Sequence, residues 1–133
     1  MKLLHIAYDP LRRTLATCSR WARAFREWWL RPRTIELRGR TLLREWLSPE
    51  QLALYDAHNY FEVTGCHTRK RYRINYAIGA NVYEIDDAGR PVAGLCFVPN
   101  DHLVAGDVML AQKIALETDE RGALAAASNF TPR

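Results

Sequence analysis

The chain has 133 residues and a mass of 15.3 kDa, room for one ordinary domain. With 48% apolar and 26% charged residues it is not wholesale disordered, and no apolar run approaches the roughly eighteen residues of a membrane-spanning helix. The net charge of +4 divides unevenly: residues 1–46 hold 11 Lys/Arg against 4 Asp/Glu, a net of +7, and residues 47–133 hold 8 against 11, a net of −3.

The first ten residues contain no sustained apolar core before Asp9 and Pro10, so no secretory signal is expected there. Residues 11–33 are Arg-rich with Ser and Thr, which overlaps with the composition of organelle transit peptides. Trp21, Trp28 and Trp29 in that segment argue against this reading. Three cysteines, Cys18, Cys66 and Cys96, are an odd number in a chain without a signal, so a reducing, cytoplasmic setting is expected.

Residues 11–30 carry the strongest periodicity. Leu11, Leu15, Cys18, Ala22, Phe25 and Trp29 step by four or three and fall within about 80° of arc, a narrow apolar stripe. Arg12, Arg13, Arg20, Arg23 and Arg26 lie outside it, and Trp21 and Trp28 share its flank. The spacing predicts a helix about 30 Å long, ended by Pro32. A stripe this narrow more often marks a helix–helix seam than a broad globular face.

A connector over residues 33–40 and a short helix or turn over 41–47 are expected next. Ser48-Pro49-Glu50-Gln51 then reads as a capping box with proline at N1, and Leu47 and Leu52 as its hydrophobic staple. A helix over residues 49–58 follows, burying Leu52 and Tyr55. The period then changes to two. Phe61 and Val63 predict one strand, and Tyr72, Ile74 and Tyr76 a second. The second strand presents Arg71, Arg73 and Asn75 outward, beyond a polar turn at 65–70. Residues 82–85 predict a short strand, 86–90 a hairpin turn with Gly89 at positive φ, and 92–98 a central strand. Asp107 is the expected N-cap of a buried helix starting at Val108. Asp119 can cap a second short helix with acids in its first turn, or one helix runs through. Residues 129–133 are expected to form a tail.

The predicted fold is α+β: an N-terminal amphipathic helix, a second helix, a three- or four-stranded antiparallel meander and a C-terminal helix. Residues 1–41 form a basic helical arm and connector, and residues 42–133 a compact domain.

Candidate chemistry is sparse. Cys66, His67, Cys96 and His102 lack the spacings of a structural zinc site, so no metal is expected. Cys66 beside His67, flanked by Arg69, Lys70 and Arg71, is the one enzyme candidate, but neither a base across the site nor an oxyanion hole is visible. Glycines are scattered singly without a phosphate loop, so no cofactor or small-molecule substrate is expected.

The basic helix is the better candidate. Its arginines suit phosphates, and its tryptophans suit an apolar or stacked surface. Arg12, Arg20, Arg23 and Arg26, with Arg71 and Arg73 in support and Trp21 and Trp28 beside them, are the expected contacts to nucleic acid or another acidic partner. Leu11, Leu15, Cys18, Phe25 and Trp29 are the alternative: a seam holding a homo-oligomer or a larger protein assembly. A membrane surface is a weaker third option.

Trp46-Leu47-Ser48-Pro49-Glu50-Gln51, Tyr72-Arg73-Ile74, Leu95-Cys96-Phe97-Val98-Pro99 and Gly106-Asp107-Val108-Met109-Leu110-Ala111-Gln112-Lys113 resemble segments of a group of small bacterial proteins of unknown function. The resemblance covers residues 46–130 and implies no activity. At the level of topology, the helix–meander–helix order is similar to that of double-stranded-RNA-binding domains. Those present lysines at the start of their last helix. Here that position is Gly106-Asp107-Val108-Met109, acidic and apolar, so that mode of RNA binding is not expected.

Overall fold

A computed structural model describes residues 9–97 and 102–132, except the side chains of residues 9–21 and 32. The chain divides into two compact units, Met1–Ile35 and Glu36–Arg133. Helix α1, Asp9–Trp46, contributes to both.

In Glu36–Arg133, α1 is followed by α2 (Pro49–His58), four strands, β1 (Tyr60–Thr64), β2 (Arg71–Asn75), β3 (Val82–Ile85) and β4 (Pro91–Cys96), two helices, α3 (Ala105–Thr118) and α4 (Glu120–Ala126), and a last strand, β5 (Ser128–Phe130). All five strands pair antiparallel in the order β1-β2-β3-β4-β5. This is an α+β fold. Helices α2 and α3 pack on the first strands of the sheet. Phe61, Val63, Tyr72, Ile74, Val82 and Leu95 meet Leu43 of α1, Tyr55 of α2, and Met109, Leu110 and Leu116 of α3 in one core. Among the described residues, no helix is long and apolar enough to cross a membrane.

Local signals place most of these elements. At α2, Ser48 Oγ accepts from the Gln51 N–H and the Gln51 side chain accepts from the Ser48 N–H, so both amides are satisfied. Asn59 ends the helix in the left-handed region, at φ 57°. Strands β1 and β2 bury alternate residues, as a sheet with one covered face requires. The β3–β4 turn has Gly89 at φ 76°, and Asp86 accepts from the Arg90 backbone N–H and side chain.

Four expectations are corrected. Pro32 does not end the first helix; α1 continues through the expected connector and short helix to Trp46. A proline inside a helix costs about 3 kcal/mol. The last turns of α1 offset this by burying Leu43 in the core and seating Gly39 against α3. Second, α3 begins at Ala105 rather than Val108. Val104 holds the N-cap position without a side-chain bond, and Asp107 lies inside the first turn. The earlier start makes Gly106 helical, and Gly106 is where α3 meets Gly39 of α1. A Cβ on Gly106 would stand 2.8 Å from the Arg40 amide nitrogen and closer still to Gly39.

Third, the sheet has five strands, not three or four. Residues expected as a tail form β5, pairing Phe130 with Gly94. A side chain at 94 would collide with the Phe130 ring, which lies 5.5 Å edge-on from Tyr83. Fourth, β4 ends at Cys96, and Val92 of the expected central strand is exposed. Of the two possibilities for the C-terminal segment, separate helices are found. Asp119 accepts from the Gly122 N–H and starts α4.

Candidate functional site

The Met1–Ile35 unit holds eight Lys/Arg against two Asp/Glu. Within its described part, Arg23, Arg26, Arg31 and Arg33 are all exposed. Phe25, Trp28 and Trp29 stand among them at 62–65% exposure, far above what an aromatic keeps in a packed core. Their ring centroids are 6.0–6.3 Å apart, so the three form one aromatic cluster on the helix. Trp28, Trp29, Arg31 and Arg33 line an open cleft of about 580 Å³. The side chains of Leu11, Arg12, Leu15, Cys18, Arg20 and Trp21, also expected at this site, lie outside the described residues.

The second group of expected contacts, Arg71 and Arg73, sits on the outward face of β2 in the other unit. Register places Glu62 of β1 opposite Arg73. Glu62 binds both arginines, at 2.5 Å to Arg71 and 3.0 Å to Arg73. Burial pushes the Glu62 carboxyl up, but the hydrogen bonds from Arg71 and Arg73 outweigh it and hold it below the ordinary carboxylate range. Arg73 also lies 4.5 Å over the Tyr60 ring, which stacks on His58. Lys70 pairs with Glu84 at 2.9 Å. The basic patch read from the sequence is therefore largely neutralised by its own cross-strand partners. Tyr72, between the two arginines in sequence, points into the core.

The Cys66–His67 turn is built around a residue that sequence reasoning passed over. Glu120, the first residue of α4, is completely buried. One of its oxygens accepts the Tyr72 hydroxyl at 2.7 Å and the Thr68 hydroxyl; the other accepts the His67 and Thr68 backbone N–H groups, both at 2.7 Å. Gly65 passes so close that any Cβ there would strike the carboxylate. Burial opposes ionisation, but the bonds from Thr68, Tyr72 and His67 outweigh it and hold the Glu120 carboxyl at about 2. Burial, then the bond to Glu120, push the Tyr72 phenol above its ordinary range. Nothing local in the sequence marks this contact, because Glu120 and the turn it holds are about 50 residues apart.

Cys66 is exposed. Its Sγ lies 3.2 Å from His67 Nδ1 and accepts the Glu120 N–H at 3.4 Å. Ligand atoms of Cys66, His67 and Glu120 all lie within 4.8 Å of one another. Both Glu120 oxygens, however, already accept two protein hydrogen bonds each. Cys66 and His67 are then left as a pair, short of the three or four protein ligands of a zinc centre. Cys96 and His102 do not join them.

A buried amide pair completes the polar interior. Asn81 and Gln112 exchange hydrogen bonds of 2.9 Å in both directions, and Asn81 also donates to the Asn75 and Ala77 carbonyls. It ties the loop before β3 to α3.

No known protein family, no curated protein and no solved structure matches this chain.

Proposed function

We propose that this protein is a non-catalytic binding module that engages an acidic partner, nucleic acid, through its basic N-terminal helix. One observation supports this reading above the others. The four described arginines of residues 23–33 are all exposed beside an exposed aromatic cluster, whereas Arg71 and Arg73 are held by Glu62. Arginine's planar fork matches a phosphate bidentately, and a row of them gives a sequence-independent footprint. Arg23, Arg26, Arg31 and Arg33 are the principal described contacts in this reading. Arg71 and Arg73 have a minor part, because binding a phosphate would compete with Glu62. Cys66 and Cys96 carry free thiols, which suits a reducing cytoplasm.

Salt titration tests the proposal. Four phosphate contacts predict an affinity that falls roughly 50–150-fold between 50 and 200 mM salt. Replacing Arg23, Arg26, Arg31 and Arg33 with glutamine is expected to flatten the log–log slope by about 0.7–0.9 per residue. An affinity indifferent to salt would sink the phosphate model.

The exposure of Phe25 and Trp29 favours one other reading, a structural subunit held by the apolar stripe of residues 11–29. Sedimentation distinguishes it. The seam predicts that Leu15→Asp and Phe25→Asp each reduce a multimer to the monomer mass. Variants that keep both the wild-type mass and the wild-type fold leave no role for the stripe.

A further inference from the structure

We infer that the nucleic acid bound by this helix is single-stranded, with bases stacked on the Trp28 and Trp29 indoles and neighbouring phosphates held by Arg31 and Arg33. The inference rests on the function proposed above and adds what the aromatic cluster contributes to it.

In a duplex the base faces are covered by stacking, so Phe25, Trp28 and Trp29 would reach them only by unstacking a base step, at a cost of a few kcal/mol. A single strand exposes its base faces, and an aromatic ring can cover them whatever the sequence. The structure places two indoles and two guanidiniums around one open cleft of about 580 Å³. The cleft is open to solvent, so a strand can lie along it rather than be enclosed. Its walls offer flat apolar rings for a base and charged forks for the adjoining phosphate. Among the described residues, no carboxylate, amide or hydroxyl lines the cleft to read a base edge. Stacking there is consequently tolerant of sequence, and affinity follows strand form rather than base identity.

The experiment uses the full chain at several salt concentrations, with affinities read from dye-labelled probes and, for the wild type, from its own tryptophan fluorescence. Three probes are titrated: a short oligothymidylate strand, the same strand annealed to its complement, and vesicles containing an anionic phospholipid. The wild type is expected to bind the single strand at least ~10-fold more tightly than the duplex, with quenching of the indoles. The double variant Trp28→Leu, Trp29→Leu keeps good helix formers at two exposed positions, so its circular dichroism is expected to match the wild type. It should lose about 10–100-fold on the single strand and keep its duplex affinity and its salt slope. Equal single-strand and duplex affinities that the double variant leaves unchanged would overturn the stacking inference while preserving salt-dependent nucleic-acid binding. Failure to bind either form, or tight binding confined to the vesicles, would overturn both readings.

Discussion

Replacing Glu120 with alanine is expected to lower the unfolding free energy by about 3–5 kcal/mol. The carboxylate accepts four hydrogen bonds from three residues of the 67–72 segment while fully buried. Alanine would leave the Tyr72 hydroxyl, the Thr68 hydroxyl and two backbone amides without their acceptor, and a cavity beside Gly65. Each buried donor left unsatisfied costs on the order of 1–3 kcal/mol, reduced where water can enter from the turn. Glu120→Gln should lose less, about 2–3 kcal/mol, because one oxygen remains while the new NH₂ faces donors.

Linkage adds a pH signature. The folded pKa of Glu120, about 2, lies below the unfolded carboxylate value. Its contribution is therefore fully present above about pH 5 and is lost as pH falls from there toward 2. The folded pKa of Tyr72 is raised, so its contribution is present below the ordinary phenol range and is lost as pH rises through and beyond it. Urea unfolding as a function of pH should show a plateau between these limits with an acid limb that Glu120→Ala flattens. An alanine variant as stable as the wild type at pH 7, with an unchanged acid limb, would show that the clamp does not hold the turn.

Gly106→Ala carries the second large effect, a net loss of about 2 kcal/mol. On an exposed helix the same change would gain up to about 1 kcal/mol, because alanine loses less backbone freedom. Here the added methyl would enter the backbone of Gly39 and stand 2.8 Å from the Arg40 nitrogen. Backbone cannot swing aside as a side-chain tip can, so α1 and α3 must separate, loosening Leu43 and Met109 in the core. Gly122→Ala is the matched control. Its methyl would push the exposed Asp119 carboxylate out of its capping position; that loss, about 1 kcal/mol, is set against alanine's better helix propensity, and the expected net change is within about 1 kcal/mol. Thermal unfolding reads the difference as a drop of roughly 5–10 °C for Gly106→Ala against little change for Gly122→Ala. Equal shifts in the two variants would refute the close-crossing account.

These two residues show where sequence reasoning stopped. Glu120 reads as an ordinary acid in the first turn of a helix, favourable to the dipole and solvated. Its burial depends on the 65–70 turn arriving from 50 residues earlier in the chain, which no local pattern encodes. Gly106 reads as a loop residue ahead of an Asp107 cap. It becomes helical because only a glycine pair allows α1 and α3 to approach so closely. The same applies to Arg71 and Arg73, which look like a basic face until strand register sets Glu62 opposite Arg73 and diagonal to Arg71. Phe130 joins the sheet because Gly94 leaves its ring a seat.

What the sequence determined by itself were the features whose physics is local. The Ser48–Gln51 box starts α2 because both its bonds close within four residues. The alternation at Phe61, Val63, Tyr72 and Ile74 marks buried strand faces because side chains alternate along a pleat. The Asp86–Arg90 turn forms through its own backbone bonds and Gly89. The excess of arginine in the first third is a matter of composition and needs no fold. Only tertiary structure decided which charges remain available and which are consumed: Glu120 by the turn, Glu62 by Arg71 and Arg73, Gly39 and Gly106 by each other. The physical reason is range. A cap, a turn or a periodic face is specified by neighbours in the chain, whereas burial and ion pairing depend on residues that the fold alone brings together.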